Sequence, residues 1–205
     1  MSAHVTGGRR IGIFGGTFDP IHEGHLALAS GVADELGFSE LRFMPAGRPN
    51  FKRDRDVTPA EQRIRMVELA IACDERFVLD RREVDRAGVT YTVDTLEELH
   101  AEDPDARLFF IIGADSAETL VHWRGAERLS QLATFVVASR PGVSKDQVIS
   151  AHAQSPFQFD LVFANTPLLD VSSTEIRERI SCGRSVAGML PSAVIAYIEQ
   201  QGLYR

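Results

Sequence analysis

Cysteine is scarce in this chain of 205 residues, which contains only Cys73 and Cys182. The two lie far apart and form no Cys-x-x-Cys pair, so the sequence supplies neither a disulfide framework nor a zinc-binding cysteine cluster. This usage is typical of proteins in a reducing compartment. We therefore predict a cytoplasmic location.

Long apolar runs are also missing. Runs such as residues 108–112 and 133–138 are far shorter than the roughly 18 residues that a membrane-spanning helix requires. Near the N-terminus the first apolar stretch is interrupted by Gly15 and Gly16, so we expect no signal peptide. We predict no membrane association, and a flexible leader over residues 1–9.

The sequence also lacks an excess of basic residues. Lysine and arginine total 22 against 29 aspartate and glutamate residues, which gives a formal net charge of −7. A surface of that sign disfavours broad binding to nucleic acid or anionic membranes, so any anion site has to be local. The composition is 44% hydrophobic and 25% charged, as in ordinary globular chains, and the length suits one domain, which we place at residues 10–205.

Short apolar segments that alternate with helical patterns determine the predicted fold. Such alternation is typical of βαβ units, and the strands are continuously apolar, as in a sheet covered on both faces. We predict an α/β, Rossmann-like, doubly wound and mostly parallel sheet with a small helical C-terminal part at about residues 172–205. The predicted strands cover residues 10–14, 41–44, 107–112 and 134–137, and the predicted helices cover residues 22–36, 59–73, 115–131, 173–183 and 191–202.

Two helix starts carry capping signals. Thr58 is the predicted N-cap of one helix, with Pro59 at its first helical position and Glu61 completing a capping box. Ser172 and Glu175 repeat the pattern near the C-terminus. Both starts are expected to satisfy free backbone N–H groups through side-chain oxygens.

A Gly-x-Gly-x-x-Gly fingerprint and a Walker phosphate loop are both absent, which argues against a nicotinamide-dependent oxidoreductase. After the first predicted strand come Gly15-Gly16 and then His-x-Gly-His at residues 22–25. Histidines three residues apart at a helix start share one face of the first turn. Free N–H groups there favour phosphate, and imidazole donors can stabilise developing charge. The plainer alternative is that one histidine caps the helix and the other packs.

A cluster of basic residues follows the second predicted strand: Arg48, Lys52, Arg53 and Arg55. At the carboxyl end of a strand such a cluster can clamp a polyphosphate, and Lys52 is the predicted contact. The alternative is a solvated loop whose charges are partly offset by neighbouring aspartates.

A second helix start reads Ser-Ser-Thr-Glu-Ile-Arg at residues 172–177. Hydroxyl and N–H groups there can hold phosphate oxygens, and Arg177, about one turn in, adds a planar fork of donors. Simple capping plus a surface arginine is the alternative. Together with the histidine segment, this start predicts a triphosphate held between two helix N-termini.

These segments match a known family. Gly-Thr-Phe-Asp-Pro at residues 16–20, with the histidine segment and Ser-Ser-Thr-x-x-Arg at residues 172–177, resembles the nucleotidyltransferases of the adenylyltransferase superfamily. Three further segments are similar to the bacterial nicotinate mononucleotide adenylyltransferases: residues 88–96, residues 110–116 with Trp123, and residues 190–191 with residues 197–198. The similarity covers nearly the whole chain, from about residue 11 to residue 204.

The resemblance implies attack by the 5′-phosphate of nicotinate mononucleotide on the α-phosphorus of ATP, with Mg²⁺ present, to give deamido-NAD and pyrophosphate. The motifs hold no activated serine or cysteine, so the rate has to come from positioning and charge stabilisation. Asp115 would accept from a ribose hydroxyl or order water around Mg²⁺, or else it caps a helix. The implied catalytic residues are His22, His25, Lys52 and Arg177, and the implied ATP-binding residues are Gly15, Gly16, Thr17, Phe18, His22, His25, Gly113, Asp115, Ser173, Thr174 and Arg177.

The acceptor site implied by the resemblance contains Thr90, Tyr91, Thr92, Trp123 and Arg140. Loop N–H groups at the threonines would select carboxylate over amide, because an amide would present donors of its own. Trp123 would stack on the pyridine ring. Each has a plainer alternative: the threonines cap a helix, the tryptophan belongs to the core, and Arg140 lies in a surface turn.

One segment departs from the family pattern. Residues 49–52 read Pro-Asn-Phe-Lys, where many members carry a Pro-Pro-His-Lys-like run, so the role of that histidine is in doubt and Phe51 becomes a candidate lid residue. Two other functions stay open, a phosphopantetheine adenylyltransferase-like enzyme and a non-catalytic nucleotide-sensing module. A homo-oligomer is also compatible with the sequence.

Overall fold

The computed structural model describes residues 8–47, 57–138, 145–153, 155–166 and 169–205. Its strands are β1 (Arg10–Gly16), β2 (Glu40–Pro45), β3 (Phe77–Leu79), β4 (Arg107–Gly113), β5 (Ala133–Ala138) and β6 (Leu161–Phe163). Its helices are α1 (Glu23–Leu36), α2 (Ala60–Ile71), α3 (Arg82–Asp85), α4 (Thr92–Glu102), α5 (Ala114–Thr119), α6 (Ala126–Leu132), α7 (Lys145–His152), α8 (Ser173–Ser181) and α9 (Ser192–Gln201). A 3-10 turn, Leu120–His122, follows α5.

The six strands are parallel and lie in the order β3-β2-β1-β4-β5-β6. Strand order runs outward in opposite directions from β1 and β4, so the switch point lies between them, where Phe14 pairs with Ile111. In such sheets ligands bind beyond the carboxyl ends of the strands at the switch point. Within the described ranges the predicted α/β, doubly wound parallel sheet is confirmed.

The core consists of two apolar layers, one on each face of the sheet. Because successive strand residues point to opposite faces, Phe14 and Phe109 belong to the layer with α1, α2, α8 and α9. Ile13 and Phe110 belong to the layer with α4, α5, α6 and α7. Helices thus cover both faces, which explains why the strands are apolar throughout rather than alternating.

The prediction of one helix over residues 115–131 is wrong. The segment forms α5, the 3-10 turn and α6, with an extended Trp123 and a left-handed Gly125 before α6. Gly125 has φ +71, and a β-carbon there would lie 2.9 Å from the Val93 side chain of α4. Glycine is required by both the backbone angle and the close approach, so the helix is interrupted at this point.

The helix starts are predicted in part. Ser172 is the N-cap of α8, and its hydroxyl accepts a hydrogen bond from the Glu175 N–H at 3.2 Å. In α2 the N-cap is Pro59 rather than Thr58, so that helix begins one residue later than predicted. Strands β3 and β6 and helices α3 and α7 are not predicted, because such short segments carry little periodic signal. The longer helix α4 is not among the predicted helices either.

Arg9 belongs to the folded part of the chain. Its guanidinium lies 2.7 Å from the Glu40 carboxylate, and its carbonyl accepts a hydrogen bond from the Arg107 N–H at 2.8 Å. The predicted leader stays a prediction for residues 1–7, which lie outside the described residues. In the part of the chain that the structure describes, no helix is long and apolar enough to cross a membrane.

Candidate active site

A cavity of about 230 Å³ opens at the carboxyl ends of β1, β4 and β5. The first turn of α1 forms one wall, and the segment leading into α8 forms another. The cavity therefore lies at the switch point, where the topology predicts a ligand site. Its lining residues are Phe14, His22, Gly24, His25, Leu28, Ile112, Gly113, Ala138, Leu169, Asp170, Val171 and Ser172.

His22 and His25 stack against each other in this cavity. His22 is the N-cap of α1, and the two ring centroids are 3.6 Å apart with an angle of 25° between the planes. The backbone N–H of His22 donates to Nδ1 of the His25 ring at 3.2 Å. The proton of a neutral His25 ring is therefore on Nε2. His25 thus takes part in capping α1, as in the interpretation that one histidine caps the helix. Both rings also line the cavity, as their spacing predicts.

Gly24 makes room for the histidine pair. A β-carbon at this position would lie 3.1 Å from the His22 ring and 3.5 Å from the Leu169 carbonyl oxygen. Any larger residue would press on the ring that the site needs. The glycine between the histidines therefore supports the geometry of His22 as well as leaving space in the cavity.

Phe18 supports the histidines from below. Its ring is 2% exposed and meets the His25 ring edge-on, with centroids 5.2 Å apart. A β-carbon at Gly16 would lie 2.9 Å from the Phe18 ring, so the loop can close over the phenylalanine only because Gly16 lacks a side chain. Phe18 is a predicted ATP-binding residue, and its burial places its ring behind the histidines rather than on the cavity wall.

The two predicted phosphate-binding helix starts are joined directly. The Ser173 hydroxyl donates to the Pro20 carbonyl at 2.9 Å, and Nη1 of Arg177 donates to the Asp19 carbonyl at 2.7 Å. Nη2 of Arg177 donates to the Thr174 hydroxyl at 3.3 Å. The loop after β1 and the start of α8 therefore form one continuous wall.

The buried Arg63 of α2 binds the backbone of the loop after β1. It was not among the predicted site residues. It is 1% exposed and donates to four backbone carbonyls, those of Thr17, Ala46, Gly47 and Thr58, at 2.7 to 3.3 Å. Burial lowers the pKa of Arg63, and the nearby Asp19 charge opposes that shift. The available signal was an arginine at a buried position of a helix.

Tyr91 begins the helix that follows the predicted acceptor loop. It is the N-cap of α4, so neither Thr90 nor Thr92 occupies that position, and the Thr90 hydroxyl donates to the Glu83 carbonyl at 3.4 Å. The Arg124 guanidinium lies 4.2 Å from the centre of the Tyr91 ring. Because α4 leads into β4, its first turn lies at the same sheet edge as the cavity.

Trp123 lies next to this helix start. It is half-buried and packs against the core layer of α4 to α7, which is part of the plainer alternative. Its neighbour Gly125 touches Val93 in the first turn of α4. Trp123, Thr90, Tyr91 and Thr92 do not line the 230 Å³ cavity but lie on the same edge of the sheet.

Asp115 and Gly113 lie at the end of β4. Gly113 is the N-cap of α5 and lines the cavity, whereas Asp115 is in the first turn of the helix. The alternative that Asp115 caps α5 is therefore wrong. The predictions for Arg48, Phe51, Lys52, Arg53, Arg55 and Arg140 lie outside the described residues.

Glu83 is a half-buried carboxyl group of α3 behind residues 90–92. It accepts a hydrogen bond from the Thr95 hydroxyl at 3.0 Å, and Arg86 donates to the same hydroxyl at 3.0 Å. Burial raises the pKa of Glu83, and the Thr95 hydrogen bond and the Arg86 charge offset only part of that effect. The folded protein therefore holds this proton more tightly than the unfolded chain does.

Glu83→Gln is expected to gain stability relative to the wild type as the pH rises. With a raised pKa in the folded state, the Glu83 contribution is fully present below about pH 4, the ordinary carboxyl value, and is lost as the pH rises through the folded pKa. The glutamine keeps an oxygen for Thr95 and has no proton to lose. Thermal melts between pH 4 and pH 7 measure the difference.

The exposed Glu97 of α4, paired with Arg128 at 3.0 Å, provides the control. The melting temperature of Glu97→Gln is expected to stay close to that of the wild type between pH 4 and pH 7, because a surface ion pair contributes little to stability. A Glu83→Gln difference that stays constant with pH would contradict the assignment of a raised pKa.

A larger concavity of about 580 Å³ lies between α8 and α9, away from the strand ends, and includes Arg184, Glu199 and Arg205. It adjoins the C-terminal ends of these helices, whose partial negative charge disfavours phosphate. The smaller cavity combines helix N-termini with two histidines at the switch point. We therefore place the candidate active site there.

Comparison with known proteins identifies the family of the chain. A family model described as cytidylyltransferase-like matches residues 13–179. A probable nicotinate-nucleotide adenylyltransferase of Leifsonia xyli is 47% identical over 196 residues, which covers 96% of this chain and 94% of that protein. A probable nicotinate-nucleotide adenylyltransferase of Geobacillus kaustophilus is 42% identical over 195 residues, which covers 95% of this chain and 86% of that protein.

Solved structures extend the likeness of fold. The Plasmodium falciparum nicotinic acid mononucleotide adenylyltransferase complexed with APC superposes with a TM-score of 0.77 at 20% identity, covering 96% of this chain and 97% of that one. The same enzyme complexed with NaAD gives the same values. The matched family model and the near full-length relatives together show that the chain belongs to the cytidylyltransferase-like family, among the nicotinate-nucleotide adenylyltransferases.

Proposed function

We propose that the protein transfers an adenylyl group from ATP to nicotinate mononucleotide, giving deamido-NAD and pyrophosphate as a step of NAD biosynthesis. The observation that carries the proposal is the stacked His22–His25 pair at the switch point, beside a loop bonded to the start of α8. It occurs in a chain 47% identical to a probable nicotinate-nucleotide adenylyltransferase.

The chemistry requires no nucleophile from the protein. An oxygen of the acceptor 5′-phosphate forms the new bond to the α-phosphorus of ATP, the bond from that phosphorus to the bridging oxygen breaks, and pyrophosphate leaves with the electron pair. The acceptor phosphate is already ionised at neutral pH, so no proton has to be abstracted from it. Catalysis then consists of aligning the two phosphates and stabilising charge on the transferred and leaving oxygens.

The two histidines suit the transferred phosphate. With Nδ1 of His25 accepting from the His22 N–H at 3.2 Å, the ring donor of a neutral His25 is Nε2. Such a donor, fixed before the reaction, stabilises an oxygen that gains negative charge in the transition state. The N-terminal end of α1, which carries a partial positive charge, lies at the same place.

The start of α8 suits the β- and γ-phosphates of ATP. Ser173, Thr174 and Arg177 are the proposed contacts, with Lys52 as a further cation. Arg177 uses Nη1 and Nη2 for Asp19 and Thr174, and a guanidinium has five N–H donors, so further donors remain for phosphate oxygens.

Magnesium is proposed to enter with ATP. The described residues contain no group of three or more potential metal-ligating side chains, which fits an ion held mainly by substrate phosphates and water. Asp115, two residues after the end of β4, is the proposed side chain for that hydration shell or for a ribose hydroxyl. The ion would neutralise phosphate charge as pyrophosphate leaves.

The acceptor is proposed to bind along the edge formed by residues 90–92 and Trp123, with Arg140 as a further contact. Loop N–H groups there would favour the nicotinate carboxylate over the amide. A reducing, cytoplasmic setting is part of the proposal, since ATP is the substrate and both cysteines are exposed thiols.

Trp123→Ala is expected to weaken acceptor binding, because it removes an aromatic surface from the proposed pyridine site. The KM for nicotinate mononucleotide should rise about tenfold, while kcat changes less. Phe157→Ala is the matched control, since Phe157 is a partly buried aromatic residue on the same core layer. An unchanged acceptor KM in Trp123→Ala would contradict stacking.

A pyrophosphate-release assay with three acceptors tests the proposed function. ATP and Mg²⁺ are supplied with nicotinate mononucleotide, nicotinamide mononucleotide or phosphopantetheine in separate reactions. We expect turnover with the mononucleotides and faster turnover with the nicotinate form. Release with phosphopantetheine alone would establish the sister activity instead, and binding of ATP and acceptor without release would establish a nucleotide-sensing module.

A further inference from the structure

Tyr204, which follows α9, reaches back to the loop after β1. Its hydroxyl donates to Oδ1 of Asp19 at 2.7 Å. The other carboxylate oxygen of Asp19 accepts the Thr58 N–H at 3.3 Å, and Asp19 is only 5% exposed. The carboxylate is thus held between the start of α2 and the end of the chain, 185 residues away in sequence.

Asp19 connects Tyr204 to the proposed phosphate site. The backbone carbonyl of Asp19 accepts Nη1 of Arg177 at 2.7 Å, while the next carbonyl, of Pro20, accepts the Ser173 hydroxyl at 2.9 Å. One residue thus binds Tyr204 through its side chain and Arg177 through its carbonyl. Tyr204 itself does not line the cavity and has no direct route to a substrate there.

The conformation of Tyr204 indicates that its surroundings hold it in place. It has φ +64, in the left-handed region that residues with a side chain rarely adopt, and such conformations persist only where neighbouring contacts impose them. Leu203 and Tyr204 pack against the core layer of α1 and α2. Burial raises the pKa of Tyr204, so the phenol stays protonated and remains a hydrogen-bond donor.

We propose that Tyr204 is a positioning residue for adenylyl transfer, acting through Asp19 to orient Arg177 and Ser173 toward the ATP phosphates. The role in adenylyl transfer rests on the proposed function, whereas the link from the Tyr204 phenol through Asp19 to Arg177 is a contact of the structure. A purely structural role would be to fasten residues 202–205 to the core, with no effect on ATP.

Tyr204→Phe removes only the donor oxygen. We expect kcat/KM for ATP to fall about tenfold in the pyrophosphate assay, the effect of losing a hydrogen bond to a charged group. The KM for nicotinate mononucleotide should stay within about twofold, since the acceptor site lies elsewhere on the sheet edge. Tyr197→Phe, the same change on α9 at the border of the same core, is expected to behave as wild type.

Asp19→Asn and the double variant separate positioning from stability. If Tyr204 acts through Asp19, Asp19→Asn also lowers kcat/KM for ATP. The double variant then has a kcat/KM for ATP within about threefold of that of each single variant. Should Tyr204→Phe melt near the assay temperature, Asp19→Asn gives the same test with the tyrosine ring in place. A lower melting temperature with unchanged ATP parameters, or equal losses in Tyr197→Phe, overturns the proposal.

Binding of a non-hydrolysable ATP analogue, measured by calorimetry without acceptor, distinguishes the two proposals. If the wild type releases no pyrophosphate with nicotinate mononucleotide, the proposed function fails. Weaker analogue binding by Tyr204→Phe still supports the positioning role in that case, and equal binding overturns it.

Discussion

His25→Ala is expected to lower the turnover number about 10²-fold or more, with little change in the KM for nicotinate mononucleotide. The imidazole is held by the His22 N–H at Nδ1, at 3.2 Å, and is stacked 3.6 Å from the His22 ring. Its Nε2 donor is therefore placed without reorganisation when charge develops on the transferred phosphate. Alanine removes that donor and leaves the acceptor site unchanged. Steady-state pyrophosphate release with both substrates varied measures the effect.

His100→Ala on α4 is the control, because His100 is in the last turn of that helix, away from the cavity. It should retain wild-type turnover. His25→Ala also removes the acceptor for the His22 N–H, so circular dichroism should first establish that α1 is intact. A turnover number within a few-fold of the wild type in a folded His25→Ala protein would refute the proposed charge stabilisation.

Arg63→Met is expected to destabilise the protein by about 3 to 5 kcal/mol. The methionine fills part of the same space, but the four carbonyls that Arg63 binds at 2.7 to 3.3 Å lose their donors in a buried position. An unsatisfied buried polar group costs about 1–3 kcal/mol each, so even partial rescue by water leaves a large loss. A chain of this size should then melt about 10 °C lower, at about 2–4 °C per kcal/mol.

Arg65 on the same helix provides a matched comparison. Its side chain is about half exposed and pairs with Glu68 at 2.9 Å. Arg65→Met should change the free energy of unfolding by less than about 0.5 kcal/mol. Calorimetric melts of both variants test the difference. Equal losses at the two positions would mean that the carbonyls of residues 17, 46, 47 and 58 find other donors readily.

The sequence allowed the sheet and the histidine pair to be predicted because both depend on local spacing. Continuous apolar strands between helices specify a covered parallel sheet. Residues 22 and 25 share a helix face whatever packs around them. The residue types of the two helix starts predicted that a triphosphate lies between them, and the structure brings the starts together through bonds from Ser173 and Arg177 to the carbonyls of residues 20 and 19.

The remaining features depend on contacts between distant segments. The Val93 side chain, 32 positions earlier in the chain, leaves no room for a β-carbon at Gly125, so a pattern within residues 115–131 could not reveal the break. Arg63 binds carbonyls from two separate connections, β1 to α1 and β2 to α2, and Tyr204 meets Asp19 across nearly the whole sequence. A local sequence pattern cannot identify such partners, because hydrogen-bond donors and acceptors of the same types occur throughout the chain.

The bond between Arg177 and the Asp19 carbonyl, at 2.7 Å, immobilises the guanidinium before any ligand binds. A long side chain that is already immobilised loses little conformational entropy when a ligand arrives, which saves about 0.5–1.5 kcal/mol of the ordering cost of binding. If Arg177 binds phosphate as proposed, the same preorganised guanidinium is available to the leaving pyrophosphate and to the incoming ATP. The feature that assists ATP binding is then expected to slow product release.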